Sequence, residues 1–197
     1  MRKLVVLMHI SLDGLAASDK GLGLEWTFRG MSEEVADAAN TCLRDVDTAI
    51  FGRSTYQGMQ RFWSTVPDNP ESRPDQIAHA RWLDQTTKLV FSTILSEVDW
   101  VNSRLIKEHL AEEVNALKQQ SGRNLMTFGS PRLIHSFLPL GLIDEYRLFL
   151  HPVALGGGIP LFKDIKETMN LKLVESKTFR NGVVYLCYQL AESEKEA

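Results

Sequence analysis

The chain has 197 residues, 44% of them hydrophobic and 24% charged, with a formal net charge of -3. That is enough for one domain with a substantial core, and it supplies no overall basic field of the kind that draws nucleic acid. No apolar run approaches the ~20 residues of a membrane span. The two cysteines (Cys42 and Cys187) form no CxxC, and the five histidines form neither HExxH nor H-x-E followed by PCxxC. A disulfide framework, metal-dependent hydrolysis and zinc deamination are therefore unsupported, no metal site is expected, and each histidine reads as structural.

From the N-terminus, MRK leads directly into LVVLMHI, which is too short and too soon followed by SLDG for a signal peptide. A strand buried on both faces is expected over residues 3–10, in a cytoplasmic protein. Ser32 is placed to cap a helix to about Leu43, with Glu33 and Glu34 in the first turn, where the helix dipole favours negative charge. AIFGRSTYQGM then runs a strand (47–51) straight into Gly52, Arg53, Ser54 and Thr55, with a helix to follow. Either this is a tight turn that happens to be polar, or it is a seat for a phosphorylated ligand.

The stretch 66–76, with three prolines, reads as a surface loop. A strand is expected at 88–92, and an amphipathic helix over 107–120, where Leu110, Val114 and Leu117 share one face. A further strand at 124–128 precedes GSPR: Gly129 permits a tight turn, Ser130 can cap the next helix, and Pro131 suits its first position. DEYRLFLHPVAL reads as a strand, followed by a Gly-rich loop, then by two strands around RNG, a hairpin turn. The expected fold class is α/β: a mainly parallel central sheet with helices on both faces and a C-terminal antiparallel hairpin. A single domain spans 1–190, and 191–197 form a frayed tail.

In an open parallel sheet, ligands bind beyond the carboxyl ends of the strands. The residues there are SLDG (from Ser11 to Gly14), GRST (from Gly52 to Thr55), Ser92 with Thr93, and GSPR (from Gly129 to Arg132). Arg53 offers a planar fork suited to a phosphate monoester, and the free N–H groups of PRLIHSFL suit a diphosphate. Together these corners could hold one extended ligand with several phosphates. The GxGxxG fingerprint of an ordinary Rossmann domain is absent.

SLDG, FGRSTY, MTFGSPRLIHSFLPLGLIDEYRLFLHPVALGGGIPLF and the closing hairpin resemble the dihydrofolate reductase-like superfamily. More narrowly, they resemble its branch that includes the C-terminal reductase domain of the bifunctional riboflavin-biosynthesis deaminase/reductase. The similarity spans roughly residues 2–190. It implies a three-layer dihydrofolate reductase-like fold, NADPH as cofactor and, by analogy, a homodimer. It places the 2'-phosphate and adenosine near Gly52, Arg53, Ser54, Thr55, Ser92 and Thr93, and the diphosphate on Gly129, Ser130, Arg132 and Leu133. The nicotinamide falls beside Ser11 and Gly14. The family's diphosphate turn is often Gly-Gly; here it is Gly129-Ser130-Pro131, which removes one backbone donor.

Hydride transfer needs a cofactor held close to the acceptor carbon and a proton source. Asp13, at the first strand exit, could meet a pyrimidine edge or relay a proton, or simply form the turn with Gly14. Glu33, Glu34 and Asp37 all stand near the first-helix carboxylate of dihydrofolate reductases, or are a solvated helical turn. Trp26 and Phe28 could stack on a flat heterocycle or pack in the core, and Gly157 in ALGGGIP could admit a ligand or turn the chain. The resemblance implies an NADPH-dependent reductase of a pyrimidine- or pterin-like substrate, most like 5-amino-6-(5-phosphoribosylamino)uracil reductase. Dihydrofolate reduction and a non-catalytic NADPH-binding module are the alternatives. No basic cluster marks a pocket for the precursor's ribose-phosphate.

Overall fold

The first strand, β1 (Leu4–Ser11), sends Leu4, Val6, Met8 and Ile10 into one apolar cluster and Val5 and Leu7 into another. A strand with apolar side chains on both faces must be covered on both, which here means a helical layer on each side. The computed structural model describes residues 1–20 and 23–191. After β1 come β2 (Leu15–Ser18), a 3-10 segment at Glu25–Gly30, α1 (Glu33–Thr41), β3 (Val46–Gly52), α2 (Arg53–Trp63) and α3 (Pro74–Gln85). The chain continues through β4 (Thr87–Phe91), β5 (Ser103–Ile106), α4 (Leu110–Gln119), β6 (Asn124–Phe128) and α5 (Pro131–Phe137). It closes with β7 (Glu145–His151), β8 (Gly158–Pro160), β9 (Leu171–Thr178) and β10 (Val184–Leu190).

Eight strands form one sheet in the order β5-β4-β3-β6-β1-β7-β10-β9, and β2 pairs with β8 apart from it. From β5 through β7 every pairing is parallel; β10 is antiparallel to both β7 and β9. The expected fold class is the one observed. Val114 of α4 and Leu133, Ile134 and Phe137 of α5 pack on one face, while Val35 of α1, Tyr56 of α2 and Leu83 of α3 pack on the other. The two buried layers leave β1 and β6 at the centre, and their exits at the middle of one rim.

Local chemistry sets the element ends. Ser32 caps α1 by accepting the Val35 N–H at 3.4 Å. The RNG turn is a three-residue connection in which Gly182 alone takes the left-handed conformation (φ +85), closed by the Phe179 N–H on the Val183 carbonyl at 2.9 Å. Two expectations need correction. The surface loop expected over 66–76 already contains the start of α3, because Pro74 occupies its first position and Gln76 accepts the Arg73 N–H at 3.0 Å. Strands β2, β5 and β8 had no clear periodicity, being three or four residues long and formed only by their partners. Of the expected tail, Ala191 donates to the Asn170 carbonyl at 3.0 Å, and 192–197 lie outside the described residues.

Candidate active site

Parallel pairing brings the exits of β1, β3, β4, β6 and β7 to the same edge of the sheet. At its centre two corners are stitched together: the Gly52 N–H donates to Ser130 Oγ at 2.9 Å. A Cβ on Gly52 would lie 3.4 Å from that oxygen, so the two turns touch almost backbone to backbone. Gly129 and Ser130 are both left-handed, with φ of +55 and +57. Ser130 therefore does not cap α5 with its side chain, as its position suggested, but braces β3 instead. Leu133 is buried in the core, and its N–H is engaged by the Ser130 carbonyl at 2.8 Å. Arg132 remains exposed.

The start of α2 is open. Gly52 supplies no side-chain cap, the first turn holds no acidic residue, and the leading N–H groups carry the positive end of the helix dipole. Arg53 and Ser54 are exposed there, and Thr55 is half-buried. Neither Arg53 nor Arg132 has an ion-pair partner among the described residues. Ser92 is partly committed, since its Oγ accepts the N–H groups of Ile94 (3.2 Å) and Leu95 (3.1 Å); Thr93 beside it is exposed.

At the β1 exit the structure assigns a different duty to Asp13 from the proton relay considered above. Ser11 donates to it at 2.6 Å, and the Leu155 and Gly156 N–H groups reach it at 3.1 and 2.8 Å. The Ser11 hydroxyl first, then the two loop amides, hold its carboxyl down at about 2. Asp13 is thus a fixed anion that ties the Gly-rich loop to β1, and a poor proton donor near neutral pH. Gly14 completes the turn at φ +78.

Gly157 packs on Asp19, whose Oδ2 would lie 2.7 Å from a Cβ there. Gly158 next to it is sterically obligatory, at φ +146 with its Cβ position 1.9 Å from the Ala17 carbonyl oxygen. Gly158→Ala is expected to part β2 from β8 and cost at least about 2 kcal/mol, read as faster amide exchange confined to those strands and the loop. Unchanged exchange there would contradict it.

Glu33 and Asp37 make no contact with the four corners among the described residues. Both are exposed on α1 and border a groove completed by Arg73, Pro74 and Asp75 at the start of α3. The helical period that buries Val35 turns these carboxylates outward. Trp26 is half-buried, donates its indole N–H to the Gly23 carbonyl at 2.9 Å and sets its ring edge-on to His151 at 5.2 Å. Phe28 is 69% exposed.

Sequence reasoning missed two residues, His9 and His151. They lie on neighbouring strands at the same rim, with His9 Nδ1 2.8 Å from His151 Nε2. His9 stacks on Phe149 at 5.0 Å, and burial, aided by His151, brings its imidazole down to about 3. Burial also lowers His151. The only sequence signal is a histidine interrupting each of two apolar strands.

This architecture can be set beside known proteins. Residues 2–185 match the family model described as the RibD C-terminal domain. The chain belongs to the RibD C-terminal domain family. Among relatives of this RibD C-terminal domain protein, the uncharacterized protein YyaP of Bacillus subtilis (strain 168) is 32% identical over 191 residues, covering 95% of this chain and 94% of YyaP. YwjB of the same organism is 29% identical over 184 residues, covering 92% and 95%.

Solved structures share the fold. A protein assigned to riboflavin biosynthesis from Shewanella sp. PV-4 has TM-score 0.75 at 23% identity, covering 96% of this chain and 99% of its own. A pyrimidine reductase-like protein from Corynebacterium diphtheriae has TM-score 0.66 at 16% identity, covering 98% and 93%. Dihydrofolate reductase from Enterococcus faecalis, complexed with NADP(H) and RAB-propyl, has TM-score 0.60 at 14% identity, covering 96% and 97%. The chain thus shares its fold with these three structures.

Proposed function

We propose that this chain is an NADPH-dependent reductase of a pyrimidine- or pterin-like heterocycle, most like 5-amino-6-(5-phosphoribosylamino)uracil reductase. The observation that carries the reading is the Gly52–Ser130 bond, which sets the starts of α2 and α5 side by side. Around it stand two arginines without carboxylate partners among the described residues, and an uncapped helix start. The donor set suits a ligand carrying more than one phosphate: fork geometry at Arg53, hydroxyls at Ser54 and Thr55, and a second cation at Arg132. Ser130 accepts from Gly52 and keeps its own proton to donate, which compensates in part for the donor missing at Pro131. The dihydrofolate reductase that shares the fold is complexed with NADP(H), in keeping with the same ligand here.

NADPH, when bound, would supply the hydride. The chain would hold it at residues 52–55 and 129–132, and the clamp of β2 and β8, fastened by Asp13, would limit water at the β1 exit. Riboflavin-type chemistry is preferred over folate reduction because residues 2–185 match the RibD C-terminal domain model.

The test is NADPH consumption with a panel that includes 5-amino-6-(5-phosphoribosylamino)uracil, related pyrimidines, pterins and dihydrofolate. NADPH uptake without turnover on any of them would leave a cofactor-binding module. In parallel, Arg53→Ala should weaken NADPH about 10- to 100-fold and NADH by less than about threefold, measured by fluorescence titration. Equal losses for the two would detach Arg53 from the 2'-phosphate.

A further inference from the structure

Under the proposed reading the site holds a hydride source but no evident acid. Asp13 is locked as an anion in the loop clamp, and Glu33 and Asp37 are exposed on α1 beside Arg73 and Asp75. The His9–His151 pair stands at the β1 and β7 exits, beside the corner where that reading puts the nicotinamide. His9 follows Val5 and Leu7 on one face of the central strand β1, two residues before its exit, and faces the layer that contains α1. Its neighbours on the strand, Met8 and Ile10, are 3% and 8% exposed, yet His9 is only half-buried. A mid-sheet residue can keep exposed area only where the covering layer leaves an opening above it. With Nδ1 on His151, His9 Nε2 has no protein partner among the described residues.

We propose that His9 is the catalytic hydrogen-bond and proton donor of the reductase, presenting Nε2–H to the nitrogen of the substrate's C=N bond, and that His151 is its positioning residue. This rests on the reading above. A hydrogen bond from His151 Nε2–H to His9 Nδ1 requires the proton of a neutral His9 to sit on Nε2. Neutral imidazole is a known electrophile of this kind, polarising a double bond without becoming imidazolium.

The reduction then balances. The carbon of C=N gains the hydride, its π pair moves onto nitrogen, and a new N–H bond forms as His9 Nε2–H breaks. His9 is reprotonated at Nε2 by water through the opening above it, so Nδ1 keeps its bond to His151 and the starting tautomer is restored. The substrate is reduced by two electrons, the nicotinamide is oxidised by two, and the net proton comes from water.

The packing makes His151 a precise part. Its ring is held between His9 and the Trp26 edge, and it is 1% exposed. A Cβ on Gly30 would lie 2.3 Å from its Nδ1, and Gly30 does not have a positive φ, so alanine there would push on the imidazole.

The experiment uses two His9 variants. In His9→Asn the amide sits near the former Nδ1 and can keep the bond to His151, while the Nε2 donor is lost; in His9→Gln an amide N–H reaches the former Nε2 position. On the panel substrate that the unaltered protein reduces, His9→Asn is expected to lower kcat at least about 100-fold with NADPH affinity within threefold. His9→Gln should recover at least about a tenth of the activity, and Gly30→Ala should lower kcat with little change in KM. A His9→Asn variant that binds NADPH and keeps kcat within threefold overturns the proposal.

A second readout needs no turnover. Nitrogen NMR of the imidazoles should show His9 protonated at Nε2 and bare at Nδ1, and Gly30→Ala should blur that preference. The opposite tautomer in the unaltered protein would overturn the proposal even if no panel compound reacts. Failure of NADPH to bind at all would instead remove the proposed function.

Discussion

Replacing Arg147 with alanine is expected to lower the free energy of unfolding by about 3–5 kcal/mol, the usual cost of stranding a buried charge. Arg147 forks onto Asp45 at 2.8 and 2.7 Å, donates to the Cys42 carbonyl at 2.7 Å, and reaches Glu145 through Nε at 2.8 Å. Glu145 is 5% exposed. Burial pushes its carboxyl up, but hydrogen bonds from Gln189 and Arg147, with Lys3, outweigh that and leave it below its ordinary value. Without Arg147 the carboxylate keeps only Gln189 at 2.9 Å and Lys3 at 3.2 Å, a lysine whose side chain is 44% exposed. The check is urea unfolding at pH 7. Arg147→Lys, which keeps charge without the fork, should fall between the two. A loss below about 1 kcal/mol for the alanine variant would mean that the network is incidental. Since β7 also carries His151, the variant further tests whether the far end of that strand stays ordered.

Acidification from pH 7 to pH 5 is expected to remove about 4 kcal/mol, roughly 2 from each of two histidines. Burial brings His9 down to about 3, with His151 adding to the effect, and brings His79 down to about 4 against the opposing pull of Asp75. The ordinary value is 6.5. Between these limits the unfolded chain binds more protons than the native one, so stability rises with pH and is lost as pH falls below about 6.5. His151, also lowered, acts in the same direction. The Asp13 carboxyl, ordinarily at 3.8, acts only in more acid solution.

His79 is a separable part of this slope, stacked on Trp63 at 4.2 Å and bonded to Asn40 at 2.8 Å. Its Nε2 is buried without a partner. His79→Gln should therefore flatten the dependence by about half. A midpoint in denaturant that does not move between pH 7 and pH 5 would refute the assignment.

Much of the fold was legible because its elements are strongly patterned. Residues 124–128 read as a strand with the bounds observed, and Ser32 announced α1 through a cap that it does make. The four corners were legible as a group because apolar runs ended in small and hydroxylated residues, and parallel pairing then put them on one rim. Their individual duties were not. Ser130 was placed to cap α5 and instead accepts from Gly52, Leu133 packs in the core, and Asp13, open to several duties, ties the Gly-rich loop to β1. In each case the partner lies far along the chain, beyond the reach of any local pattern.

Period, punctuation and composition were enough to establish an α/β sheet with a closing hairpin and polar strand exits, since these express steric and solvation preferences that act within a few residues. Which carboxylates are locked and which imidazoles meet depended on strand register. His9 and His151 are 142 positions apart, and become neighbours at 2.8 Å only because β1 and β7 pair in parallel with Ser11 opposite His151. Shifting that register by one residue would turn one imidazole to the opposite face and separate the pair.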